Sequence, residues 1–228
     1  MDIGLLNEKP LHAALKSWYT RPEDELEVEV DGFVIDIIQG GLLVEIQTGN
    51  FSRIRRKIRQ LAKQHPLRLV YPVAQEKWIV KIPKADGGPQ RRRKSPKRGR
   101  VVEVFKELVS FPELLNSPNF SLEVLLIQEE EIRRYDGRKG WRRRGWVIEE
   151  RRLLKVIESQ IFEQASDLWM LMPAGLPEQF TTADLAREMQ IPRRLSQQVA
   201  YCLRKAGVIE LIGKRERANL FTRCKRIW

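Results

Sequence analysis

The chain has 228 residues, 42 Lys or Arg against 30 Asp or Glu, a formal charge of +12 and 42% hydrophobic content, enough for one large core or two small ones, which excludes global disorder. No apolar run reaches the roughly 18 residues of a membrane helix, and the stretch Met1 to Lys9 has no basic segment leading into an apolar signal core, so a cytoplasmic, nucleoid-associated protein with no membrane partner is expected. Cys202 and Cys224 have no second Cys or His near them, which excludes a zinc finger and a disulfide scaffold.

In chain order, Asn7 can cap a helix with Leu11, Ala14, Leu15 and Trp18 on one face, and LEVEV (26–30) alternates as a strand. FVIDIIQ (33–39) and LLVEIQT (42–48) are rich in β-branched residues and separated only by Gly40-Gly41, a hairpin signal. A helix capped by Asn50 follows, its apolar face Phe51, Ile54, Ile58 and Leu61; then 67–73 and 77–82 read as two strands. The segment 84–100, KADGGPQRRRKSPKRGR, has no apolar period and reads as a basic linker, either a solvated spacer or a strap on phosphates. The region 101–178 reads as mainly helical (VEVFKELV, EERRLLKVIESQIF) around the turn DGRKGWRRRGW (136–146). Its tryptophans and arginines either stack on bases and clamp backbone or pack on the core and pair with Glu129, Glu130 and Glu131. From Gln179 to Trp228 the order is a short helix capped by Thr182, a turn at Ile191-Pro192, a second helix ended by Gly207, and two strands around a basic tip, 213–217.

The positive charge is unevenly distributed. Residues 1–50 carry 3 basic and 10 acidic side chains, whereas residues 51–83 carry 9 basic and 1 acidic. With Gly40-Gly41 as the loop, 39 pairs with 42, 38 with 43, 37 with 44 and 36 with 45, so Asp36 faces Glu45 within otherwise apolar strands. Opposed residues have Cβ atoms about 5 Å apart, where like charges repel, and burying both costs several kcal/mol unless something offsets it. A divalent cation with oxygen ligands, Mg2+ or Mn2+, is the simplest compensation, and the period of two sets Gln47 beside the pair. Both acids at a solvent-facing sheet edge, with the register slipped by one, is the alternative.

The order α-β-β-β-α-β, with Asp36 on the second strand and Glu45-Ile46-Gln47 on the third, resembles the PD-(D/E)xK nuclease superfamily over residues 5–83. The resemblance implies a restriction-endonuclease-like α/β (α+β) core with a mixed sheet that cleaves phosphodiesters with magnesium. It makes Asp36 and Glu45 the metal ligands and matches Glu8 to an acid many members carry on the first helix. Gln47 stands where the family's lysine usually stands, and a glutamine lacks that charge. Some branches place glutamine there, and others take the lysine from the following helix, where Lys57 or Arg56 would serve. Asn50, Ser52, Arg53 and Arg56, with the amides that open that helix, are expected to hold phosphates. The whole chain also resembles a prokaryotic group sharing the EIQT (45–48) and SPKRGR (95–100) segments.

Residues 179–224 resemble a winged helix-turn-helix. This likeness presents Arg193, Arg194, Gln197, Gln198 and Tyr201 to a major groove and Lys214, Arg215 and Arg217 to phosphates, although winged helices also serve as protein-protein modules. The expected organisation is therefore a nuclease-like domain (1–83), a basic linker (84–100), a mainly helical connecting region (101–178) and a winged helix (179–228). The expected function is a metal-dependent DNA endonuclease acting on duplex or branched DNA. The alternative is a DNA-binding regulator that uses a degenerate nuclease fold for homodimerisation or as a scaffold; a structured-RNA nuclease is a third reading.

Overall fold

The structure is a computed structural model, and it describes residues 9–83, 90–137 and 144–224. Pro10, whose fixed φ suits a first helical turn, opens α1 (Pro10–Tyr19), and Leu11 and Leu15 are its buried face. Strands β1 (Glu25–Val30), β2 (Phe33–Gln39) and β3 (Leu42–Ile46) form an antiparallel meander. Gly40 and Gly41 have φ of 52° and 90°, the paired positive values that a tight two-residue hairpin turn demands and glycine supplies without steric cost. The register is the expected one: Gln39 opposite Leu42, Ile38 opposite Leu43, Ile37 opposite Val44. Helix α2 (Phe51–Leu61) then carries the chain to β4 (Leu67–Ile82), parallel to β3.

The sheet does not end there. β4 is one 16-residue strand, not two, with an irregularity between Ala74 and Glu76 where two strands were expected to be separated. Its first half pairs with β3 through residues 67–70, and further along the same strand residues 78–81 pair with β5 (Arg91–Lys94). Its other edge is parallel to β6 (Phe120–Tyr135), which is antiparallel to β7 (Trp146–Phe162). The result is a seven-stranded mixed sheet, β1-β2-β3-β4-β6-β7, with β5 also on β4.

The middle region is thus not mainly helical. It holds a short 3₁₀ turn (Val101–Val104), α3 (Phe105–Leu108), a second 3₁₀ turn (Pro112–Asn116) and a third (Ala165–Leu171), but its bulk is two long strands. The segment EERRLLKVIESQIF is rich in helix formers, and its apolar pairs fit a helical spacing. β6, however, is buried along most of its length and needs a partner for its second row of backbone groups; β7 satisfies them and turns Leu153 and Val156 toward α1.

Within the expected linker, the described residues are ordered against the sheet: β5 and the strap 95–100 are stitched to β4, with the Ser95 amide donating to the Lys77 carbonyl and the Gly99 amide to that of Ala74. Residues 84–89 lie outside the described residues.

The last unit contains β8 (Gln179–Phe180), α4 (Thr182–Glu188), α5 (Arg193–Lys205), β9 (Ile209–Arg215) and β10 (Ala218–Arg223), with sheet order β8-β10-β9. Thr181, not Thr182, caps α4, in a reciprocal box with Asp184. The strands run to a two-residue turn at 216–217, tighter than the expected tip. This unit is not a separate globule. Cys202, Leu203 and Val199 of α5 share one core with Phe105, Leu108 and Phe111 and with the sheet face under α2, while α1 covers a smaller core on the opposite face.

Candidate active site

Asp36 and Glu45 sit one rung beyond the Ile37–Val44 pair of the hairpin. Asp36 Oδ2 accepts the Ile46 amide at 2.7 Å and stands 3.3 Å from His12 Nε2, so β3 and α1 both fix its carboxylate. Glu45 is only 6% exposed. Its Oε2 accepts from Lys57 Nζ at 2.5 Å, and the same ammonium donates to the Val34 carbonyl at 2.5 Å, which ties α2 to both strands.

Electrostatics pushes the two acids apart. For Asp36, burial works against ionisation, but the His12 contact, the Ile46 amide and Lys57 outweigh it and hold the carboxyl below its ordinary value. For Glu45, burial and then the Asp36 charge prevail over Lys57, and its pKa is pushed up to about 7. A carboxylate pair with one member ionised and the other poised near neutrality marks a functional-site candidate.

The donors suit a hard cation. Asp36 Oδ1 and Glu45 Oε1 are carboxylate oxygens that accept no hydrogen bond among the described residues. Among the described residues there is also no cluster of three His, Cys, Asp or Glu able to enclose a metal. Two carboxylates with the remaining positions filled by water or phosphate match magnesium's preference and not that of a structural zinc.

The other expected residues divide. Gln47 follows the last residue of β3, its amide still donating to the Val70 carbonyl, and its side-chain Nε2 donates to the Gly49 carbonyl at 2.5 Å, so that nitrogen is engaged with the loop leading to α2. Lys57, not Arg56, brings the positive charge. Arg56 is exposed and, with Ser52, Arg53, Arg55 and Arg59, lines an open groove of about 930 Å³ along α2. Asn50 holds φ of 59° and makes no side-chain cap; it accepts from the Ser52 hydroxyl, and the Phe51 amide is taken by Glu107 Oε2 at 3.1 Å. The helix start is therefore already occupied by a carboxylate, which argues against phosphate at that amide. Glu8 lies outside the described residues. His12 was missed by sequence reading: it is 24 residues from Asp36, and no local spacing announces the contact.

In α5 the exposed residues include Arg193, Arg194, Gln197 and Tyr201, with Gln198 half-buried. Lys214, Arg215 and Arg217 are all exposed as expected, and Arg215 in addition donates to Asp184 Oδ2 at 3.2 Å and the Gln179 carbonyl at 3.0 Å. Trp146 packs edge-on to Tyr135 beneath the Lys81 ammonium. Glu129, Glu130 and Glu131 pair with Arg151, Arg92 and Arg133; the turn residues 138–143 lie outside the described residues.

The chain belongs to the family described as "Domain of unknown function (DUF8091)", whose model matches residues 9–163, a span that holds α1, the seven-stranded sheet and the paired carboxylates. The chain is also 33% identical over 189 residues to an "Uncharacterized protein" of Treponema pallidum (strain Nichols), covering 82% of this chain and 74% of that one. No solved structure matches it. Among the described residues no helix is long and apolar enough to cross a membrane.

Proposed function

We propose that the protein is a metal-dependent DNA endonuclease of the PD-(D/E)xK type, with a winged helix-turn-helix over residues 179–224 that engages DNA. The observation that carries the reading is the convergence of Asp36, Glu45 and Lys57: two acids from a hairpin and a lysine from the next helix, with Lys57 Nζ 2.5 Å from Glu45. This is the lysine-from-the-helix arrangement that offsets Gln47.

Asp36 and Glu45 would hold Mg2+ or Mn2+, which when bound supplies charge at the phosphoryl oxygens and lowers the pKa of a coordinated water. Lys57, steadied by the Val34 carbonyl, presents a fixed ammonium against the phosphate or the attacking water. His12 and the Ile46 amide act as positioning groups that fix the Asp36 carboxylate. The arginines along α2 give the DNA backbone a cationic track beside these acids, and α5 offers Arg193, Arg194, Gln197 and Tyr201 to base edges.

Purified protein with magnesium or manganese is expected to nick or cut at least one of supercoiled, linear, single-stranded and branched DNA. Asp36→Ala and Glu45→Ala should be silent, and Lys57→Gln slowed about 10²–10³-fold. Intact DNA throughout, or cleavage by both carboxylate variants at the wild-type rate, overturns the enzyme reading and leaves the DNA-binding regulator.

A further inference from the structure

β4 outruns β3. Its edge pairs with β3 up to Val70, receiving the Gln47 amide, and is taken up again by β5 at Trp78. The gap between is roofed by the strap 95–100, which leaves a cavity of about 270 Å³, room for about nine waters at ~30 Å³ each. Four cations line it, Lys77, Lys97, Arg133 and Arg151, together with the hydroxyl residues Thr48, Tyr71 and Ser95; Glu103 is the single acid in the wall.

Glu103 stands 4.0 Å from Lys97, whereas the acids that balance the other three cations are not in the wall. Glu129 and Glu131 are 0% and 3% exposed and hold a chain of ion pairs, Arg151–Glu129–Lys77–Glu131–Arg133. Arg151 gives Nε and Nη2 to Glu129 Oε2 at 2.9 and 2.5 Å, and Arg133 gives Nε to Glu131 Oε1 at 2.6 Å. Glu129 Oε1 is fully buried with no well-formed hydrogen bond; the Lys77 ammonium, 2.9 Å away, is what compensates it.

Two buried carboxylates with three cations are a poor investment in stability, since apolar residues of like volume would serve as well or better. What the arrangement does is fix three cationic heads at a cavity before any ligand arrives. Each guanidinium keeps donors in hand after its carboxylate contacts. Tyr71, held protonated by burial with its pKa near 12, adds a hydroxyl donor. The roof is fitted closely: a Cβ on Gly99 would stand 2.4 Å from the Ala74 carbonyl oxygen and 2.8 Å from Val73 Cγ1, so only glycine lets the strap, with Ser95 and Lys97, close on β4.

We infer that this cavity is a binding site for the phosphate group of a single nucleotide, either free or within a nucleic-acid strand. The cationic wall calls for a phosphate-bearing ligand, and the volume admits one nucleotide and no duplex. The site is distinct from the paired carboxylates, and it stands whether or not they cleave.

Calorimetric titration of the full chain in EDTA tests it, with inorganic phosphate, dAMP and a single-stranded dodecanucleotide as probes. dAMP is expected to bind one per chain, more tightly than phosphate and less tightly as salt rises; if only the dodecanucleotide binds, the phosphate comes from a strand. Glu131→Gln combined with Arg133→Gln removes a cation without orphaning its buried acid and should weaken binding about tenfold or more. Lys97→Gln, at an exposed residue whose loss does not threaten the fold, and Gly99→Ala, which lifts the strap, should weaken it as well. No binding by any probe at millimolar concentration, or affinities unchanged in the double variant and in Lys97→Gln at wild-type melting temperature, overturns the assignment. Cleavage is not read in this assay, so its failure leaves the nuclease reading untouched.

Discussion

Glu45 is the residue whose environment is most at odds with its chemistry. An ordinary Glu, near 4.5, is ionised at neutral pH, but burial and Asp36 raise this one to about 7. Between those two values the folded protein keeps a proton that the unfolded chain would release. Glu45 therefore favours the metal-free fold most below about pH 4.5, and that contribution is lost as pH rises to about 7. A cation competes with the same proton, so manganese affinity, measured by titration, should rise about tenfold between pH 6 and pH 8, and Glu45→Gln should remove both the rise and most of the affinity. An affinity flat over that range would sink the role given to Glu45. Asp36 facing Glu45 was legible in the sequence because a Gly-Gly loop fixes the register and the register fixes the pair. Lys57 was legible only as one of two choices, since the turn of a helix relative to a sheet is set by packing. His12, reaching Asp36 from another element, left no local trace.

Among elements, the N-terminal meander and α5 were readable because their signals are local: the paired glycines of the hairpin and Gly207 after α5 at φ of 75°; the cap expected at Asn7 lies outside the described residues, and α1 opens at Pro10. β7 was not readable. Its sequence favours a helix, and only the demand of buried β6 for a partner makes it a strand. The C-terminal strands were found, but the contacts that Arg215 makes with Asp184 and the Gln179 carbonyl were not, because they join elements distant in sequence. The two arginines should therefore part company in DNA binding. Arg194→Ala is expected to weaken binding and to lower the slope of log affinity against log salt by about 1, with melting unchanged. Arg215→Ala should lower the melting temperature and leave the slope nearly intact. Equal effects on the slope would contradict this division.

At the scale of the molecule, the net charge of +12 proved less informative than its placement. Acids gather in the meander, cations line α2 and the strap, and a further set of cations is pinned by buried glutamates behind β4. The composition shift at 84–100 suggested a boundary, yet the strap is docked on β4 and Arg100 donates to the Met189 and Gln190 carbonyls of the C-terminal unit. Since α5 shares its core with α3 and the sheet, calorimetry should record one unfolding transition for the whole chain. Two separated transitions would restore the modular organisation.

The claim on which the rest depends is that Asp36 and Glu45 together hold a divalent cation. Anomalous scattering from crystals grown with manganese above pH 7.5 measures it directly. A peak at bonding distance from both carboxylates, absent from Glu45→Gln crystals, is the predicted result; clear density for both side chains with no peak between them would contradict it.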